Sequence, residues 1–174
     1  MHMIKEKNMN NVVIITNLPS PYRVDYFSYL KSMYSQFCFK IIYYCKGVDN
    51  REWKVDKEAV KEDVFLESFK IKLKGRYDTR HIFISTGLIR ELECLQPDVV
   101  IAMEYNPTAL KACKWCKKKK VPYISWTDGT LLTEKNINHL QLLSRKYIIK
   151  ISIAYIASST KSREAQIHYG AEGD

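Results

Sequence analysis

With 174 residues, 46% of them hydrophobic and 27% charged, the chain can bury roughly 70% of the surface its unfolded form exposes, enough for the core of one ordinary domain. No apolar run approaches the ~20 residues of a bilayer span, and the N-terminal MHMIKEKNMNN has no secretory stretch, so a soluble, cytoplasmic protein is expected. The 28 Lys and Arg against 19 Asp and Glu give a formal net charge of +9. That field draws anions: nucleic acid, an anionic membrane surface or phosphate-bearing small molecules.

In chain order, the apolar, β-branched Val12–Asn17 predicts a strand. A Pro-Ser-Pro turn follows, and Pro21 opens a helical pattern with Val24, Phe27, Leu30 and Tyr34 on its apolar face. Phe37–Cys45 predicts a second strand. Lys46–Asp63, polar and carrying the isolated Trp53, reads as an excursion. Phe65–Leu73 predicts a third strand and Lys74–Arg80 a basic loop. Leu88, Leu92 and Leu95 then mark a helix, Val99–Met103 a strand, and a lysine-rich helical stretch places Lys111, Lys114 and Lys118 on one face. Tyr123–Thr127 predicts a strand, Ile137, Leu140, Leu143 and Tyr147 a helix, Ser152–Ala157 a strand and Lys161–Tyr169 a last helix stopped by Gly170. This βαβ rhythm predicts a single α/β domain, a Rossmann-like, doubly wound parallel sheet. Burial on both faces explains why VVIIT is continuously apolar.

The five cysteines, Cys38, Cys45, Cys94, Cys113 and Cys116, are odd in number and dispersed, which predicts reduced thiols. Cys113-x-x-Cys116 has no second Cys/His pair at ligand spacing, so both read as small buried hydrophobes and no metal is expected. Lys111, Lys114, Lys117 and Lys118 read first as a solvated helix face and second as a patch apposed to an anionic membrane. No recognition-helix or RNA-binding pattern appears, and nucleic acid is not expected as a partner. The chain has no G-x-G-x-x-G after its first strand, no P-loop, no G-x-S-x-G and no H-E-x-x-H. Ordinary NAD-binding, P-loop, hydrolase and zinc-protease chemistries therefore recede.

A parallel sheet collects the carboxyl ends of its strands at one edge, where ligands bind at the point of strand-order reversal. Four polar segments fall there: Asn17–Arg23, Glu104–Thr108, Asp128–Thr130 and Ser158–Thr160. Ser20 before Pro21 and Asn106 before Pro107 read as helix caps as well as ligand contacts, and Ser159 or Thr160 as a cap of the last helix. Arg23 in a first helical turn opposes the helix dipole unless an anion or carboxylate is near. Glu104 reads either as a cleft-facing acid/base or as a salt-bridge partner of Arg23 or a lysine, and Asp128 either as cleft or as turn.

Taken in order, PSPYR with Phe27 and Leu30, Pro97–Ile101, Tyr123–Gly129, Ala157–Ser159 and Tyr169–Ala171 resemble the N-terminal half of bacterial retaining glycosyltransferases of GT-B type that build lipopolysaccharide, capsule and exopolysaccharide. The resemblance implies a two-domain enzyme in which this half, residues 1–174, binds the acceptor. The nucleotide-sugar donor, the co-substrate in place of a cofactor, is held by a C-terminal domain outside this chain, and the chain alone is expected to be inactive. It implies substrate contact for Ser20, Pro21, Tyr22 and Arg23, near the donor phosphates and the acceptor, and an acceptor-side role for Glu104, Tyr105, Asn106 and Asp128. Many relatives carry a histidine where this chain has Glu104-Tyr105, so no catalytic role carries over there, and Glu104 stays a catalytic candidate only by its place after an apolar strand. Glu164 and Glu172 have the E-x7-E spacing of the family's donor site, but they lie outside its context and read as a chance match. The implied partners are a nucleotide sugar and a glycan or lipid-linked acceptor at the inner face of the membrane. The competing reading is a non-catalytic α/β module for an anionic glycan, lipid or nucleic acid.

Overall fold

The computed structural model describes residues 10–45, 56–74 and 79–173. Strand β1 (Asn10–Thr16) lies between β2 (Phe37–Tyr43) and β6 (Val99–Met103), parallel to both, so its two faces and two edges are all covered. The period of two then divides its side chains. Val12 and Ile14 face α1 (Pro21–Met33), with Val24, Phe27, Ile41 and Met103, while Val13 and Ile15 face the opposite layer. That layer holds α2 (Leu88–Leu95), α3 (Pro107–Lys119) and Ile148 of α4 (His139–Ile151). The six-stranded sheet runs β3-β2-β1-β6-β7-β8, where β3 is Val64–Phe65, β7 Tyr123–Thr127 and β8 Ala154–Ala157. Helix α5 (Thr160–His168) closes the order. Strand order reverses between β1 and β6, so the loops after these strands flank the switch point. This is an α/β Rossmann-like domain, the shape of one half of a GT-B-like fold.

Helix ends follow the local chemistry. The Asn106 side chain accepts from the Ala109 amide at 2.9 Å, with Pro107 at the first helical position. Asn138 and Gln141 form a reciprocal capping box. Ser159, not Thr160, caps α5. Gly170 at φ +108° ends α5 in a Schellman motif, Ala171 N donating to Gln166 O and Gly170 N to Ile167 O, each at 2.9 Å.

Four expectations are corrected. The run Phe65–Leu73 is not one strand. It divides into β3 and β4 (Ser68–Lys74), and β4 pairs antiparallel with an unpredicted β5 (Thr79–Ser85) in a separate two-stranded sheet. The hairpin was hidden because its strands mix Lys, Arg and His with the apolar residues. Second, Lys74, Thr79 and Arg80 of the expected basic loop lie in those strands. Third, the sheet of the last βα unit begins at Ala154, because Ser152 ends α4, its amide bonded to Ile148 O and Ile149 O. Fourth, α4 buries a different face from the one its leucines suggest. Leu140 and Leu143 are exposed, while Arg145, Ile148 and Ile149 are buried. In α1, Tyr34 is likewise exposed, with Val24 and Phe27 buried. The expected excursion at 46–63, with Trp53, lies outside the described residues as far as residue 55. So do residues 75–78 of the basic loop.

Cys113 and Cys116 are fully buried under the sheet, and burial pushes both thiols up to about 12. Among the described residues no helix is long and apolar enough to cross a membrane, and no cluster of His, Cys, Asp or Glu is placed to hold a metal ion.

Candidate functional site

The carboxyl edge of the sheet carries two polar constellations, one on each face, with Glu104 between them. On the α1 face, Pro21 starts the helix and Arg23 turns inward, so its guanidinium is buried. Nη1 donates to Asn17 Oδ1, and Nη2 lies 3.6 Å from Asp128 Oδ2. These two acceptors supply what a cation in a first helical turn requires. Asp128 Oδ1 accepts from Ser158 Oγ, which in turn accepts from the Trp126 indole N–H at 3.2 Å. Tyr22, Arg23, Tyr26, Met103, Trp126, Asp128 and Ser158 line an open cleft of about 420 Å³.

On the opposite face, Glu134 and Arg145 form a doubly bonded, nearly buried ion pair, Nε to Oε2 at 3.0 Å and Nη2 to Oε1 at 2.5 Å. Tyr169 donates to Glu134 Oε2 at 2.6 Å. The Arg145 guanidinium lies 5.3 Å from the centre of the Tyr105 ring, which meets Tyr169 edge to face. The pair ties the segment after β7 to α4 and α5.

Glu104 is the first residue after β6. Its amide continues the sheet by donating to Trp126 O at 2.8 Å, yet its φ is +68°, the left-handed region, which strains a side chain with a Cβ. Its carboxyl is half-buried, with no hydrogen bond or ion pair within reach among the described residues. Burial, reinforced by the nearby Asp128 charge and opposed by Arg23, pushes Glu104 up from 4.5 to about 7. A carboxyl poised there exchanges a proton near neutrality, as a general acid or base requires.

Tyr22, Arg23 and Asp128 are thus brought together, with Glu104 close enough to feel both charges. The expected alternative of a direct Arg23–Glu104 salt bridge is replaced by Arg23–Asp128, with Arg23 acting on Glu104 only through its charge. Ser20 caps α1 through its carbonyl, which accepts from the Arg23 and Val24 amides. Its hydroxyl is buried and unpartnered. Pro21 is exposed at the first helical position. Tyr105 and Asn106 stand apart from the cleft. Tyr105 packs on the Arg145 side, and both ends of the Asn106 amide are spent, on Ala109 N and on the Tyr44 hydroxyl at 2.9 Å. Sequence reasoning placed Ser158 at this edge but missed Tyr26, Trp126, Glu134 and Arg145 as site residues. Arg145 had a signal: a cation three residues after Leu142 and four before Ile149, both partly or fully buried, interrupts an apolar helix face.

No protein-family model and no curated protein matches the sequence. Solved structures do match the fold. A UDP-N-acetylglucosamine 2-epimerase superposes with a TM-score of 0.59 at 10% identity, over 95% of this chain and 46% of that one. A putative UDP-N-acetylglucosamine 2-epimerase from Listeria monocytogenes gives 0.57 at 10% identity, over 94% and 42%. The Neisseria meningitidis UDP-GlcNAc 2-epimerase bound to UDP-GlcNAc gives 0.54 at 11% identity, over 94% and 44%. The chain spans less than half the length of these structures.

Proposed function

We propose that this chain is the acceptor-side half of a nucleotide-sugar enzyme that transfers a sugar to a glycan or lipid-linked acceptor in cell-surface polysaccharide synthesis. The observation that carries the reading is the cleft at the switch point. Arg23 is held there by Asn17 and Asp128, next to a strained Glu104 whose proton is labile near neutral pH. In this reading Tyr22, Arg23 and Asp128 orient the acceptor, Glu104 moves a proton at the reacting hydroxyl, and a second domain supplies most ligands of the donor phosphates. The fold shared with enzymes that take UDP-sugars supports the same substrate class. A second reading, epimerisation of a sugar nucleotide, has in its favour the named activity of those solved neighbours. Peripheral contact with an anionic membrane through the outer face of α3 belongs to the first reading, since a lipid-linked acceptor lies at that surface.

The test uses the whole protein that carries this chain, incubated with UDP-sugars, with and without oligosaccharide or polyprenyl-linked acceptors, and followed by NMR. Release of UDP that depends on acceptor is expected. A changed sugar configuration without any acceptor establishes the second reading, and no turnover of any nucleotide sugar refutes both.

A further inference from the structure

The walls of the α1-face cleft differ in kind from what a phosphate requires. Tyr22 and Tyr26 are one helical turn apart on α1, 63% and 46% exposed, although aromatic rings of this size normally find cover. Trp126 meets Tyr26 edge to face at 5.9 Å and 74°, and Met103 closes the back. The indole plane of Trp126 is fixed at its polar end by the bond to Ser158 Oγ, and Ser158 is fixed in turn by Asp128. The result is an apolar, aromatic wall with a hydroxyl and a carboxylate at its rim.

Arg23 is the sole cation among the lining residues, and it is almost wholly covered: its side chain is 8% exposed, with Nη1 on Asn17, Nη2 facing Asp128 and Nε buried without a partner. Asp128, 46% exposed, keeps acceptor positions open toward the cleft, because a carboxylate offers about four lone-pair sites. A phosphate or other anion would meet, among the described lining residues, an exposed carboxylate and only a covered guanidinium. A ring with an apolar C–H face and donor hydroxyls on its edge fits both features.

We infer that this cleft is a subsite for a neutral pyranose ring, which stacks its C–H face on the exposed Tyr26 ring, meets Trp126 along its edge and donates hydroxyl hydrogens to Asp128. Its volume of about 420 Å³ lies within the ~300–1,000 Å³ of small-molecule sites. Arg23 acts here as a positioning residue that orients the Asp128 carboxylate. The inference deepens the acceptor reading and rests on it for the origin of the sugar. Among the described residues the wall adds no cation to Arg23, which fits an uncharged sugar unit at the acceptor end held here.

The experiment is saturation-transfer NMR on the purified chain with methyl β-galactopyranoside, methyl α-glucopyranoside and cellobiose at millimolar concentration, with uridine monophosphate as the competing chemistry. Transfer to the ring C–H protons of at least one pyranoside is expected. Its affinity should weaken about tenfold in Tyr26→Ala and in Asp128→Asn. Trp126→Phe, which keeps a ring and removes the N–H, should retain binding within about threefold. No transfer to any of the three sugars, unchanged affinity in both Tyr26→Ala and Asp128→Asn, or binding of uridine monophosphate alone that depends on Tyr26, each overturns the inference. The two levels separate cleanly. Sugar binding here without turnover of any nucleotide sugar by the whole protein leaves the subsite and removes the enzyme, whereas turnover that ignores Tyr26 and Asp128 removes the subsite alone.

Discussion

Replacing Glu104 by Gln should stabilise the fold, and by an amount that depends on pH. The native carboxyl is pushed up to about 7 from an ordinary 4.5, chiefly because burial disfavours the charged form. Below about pH 4.5 both folded and unfolded chains keep the proton, and the group contributes no difference. As pH rises, the unfolded chain releases its proton first and the folded chain binds more. Stability therefore falls, by up to ~1.4 kcal/mol per pH unit, until the folded carboxyl also ionises. Above about pH 7 the full penalty is present, roughly 3 kcal/mol for a displacement of this size. Gln has nearly the same shape and the same left-handed strain but no proton to lose. The variant should thus match the native protein at about pH 4 and exceed it by ~2–3 kcal/mol at about pH 8. Asp63, which burial also pushes up, is common to both proteins and cancels in the difference. Urea unfolding of both proteins across this range measures the effect. A difference that stays flat with pH, or a less stable variant at alkaline pH, refutes the burial argument for Glu104.

Arg145→Met should strand Glu134 as an uncompensated, nearly buried charge and lower stability by ~3–5 kcal/mol, with Arg145→Met/Glu134→Gln recovering most of the loss. Denaturant midpoints of the three variants check this, and equal losses in the single and double variants contradict it. In the whole protein that carries this chain, Arg23→Ala should lower kcat/KM about tenfold or more, above ~1.4 kcal/mol in the transition state, whereas a purely structural role for this buried guanidinium would lower stability and leave the rate intact. Steady-state kinetics with melting temperatures alongside separates the two. The exposed lysines of α3, Lys111, Lys114, Lys117 and Lys118, should give weak binding to anionic vesicles that fades with salt, since such charges are screened over ~8 Å at physiological ionic strength. Equal sedimentation with neutral and anionic vesicles would reduce them to a solvated face.

The amino-acid sequence by itself determined the elements whose cause is local. VVIIT and VVIAM are nearly all apolar and rich in β-branched residues, so they form strands covered on both faces. Asn106-Pro107, the Asn138–Gln141 pair and Gly170 set helix ends because capping acts within four residues of chain. The βαβ alternation of those elements, with right-handed crossovers nearly obligatory, left few topologies, which is why the carboxyl-edge segments with Arg23, Glu104 and Asp128 were legible as one edge. What lay beyond reach was decided by contacts between elements. Leu140 and Leu143 look like core by spacing, yet α4 turns them outward so that Arg145 can meet Glu134 and the rings of Tyr105 and Tyr169. The β4–β5 hairpin stands on cross-strand pairing, to which the third apolar run alone gives no clue. Only the tertiary structure paired Arg23 with Asp128 rather than Glu104, and only it set Tyr26 beside Trp126, a hundred residues away, to make a wall. Side-chain partners across a sheet edge depend on loop backbone angles such as the +68° of Glu104. No residue type encodes such an angle when the surrounding hydrogen bonds impose it.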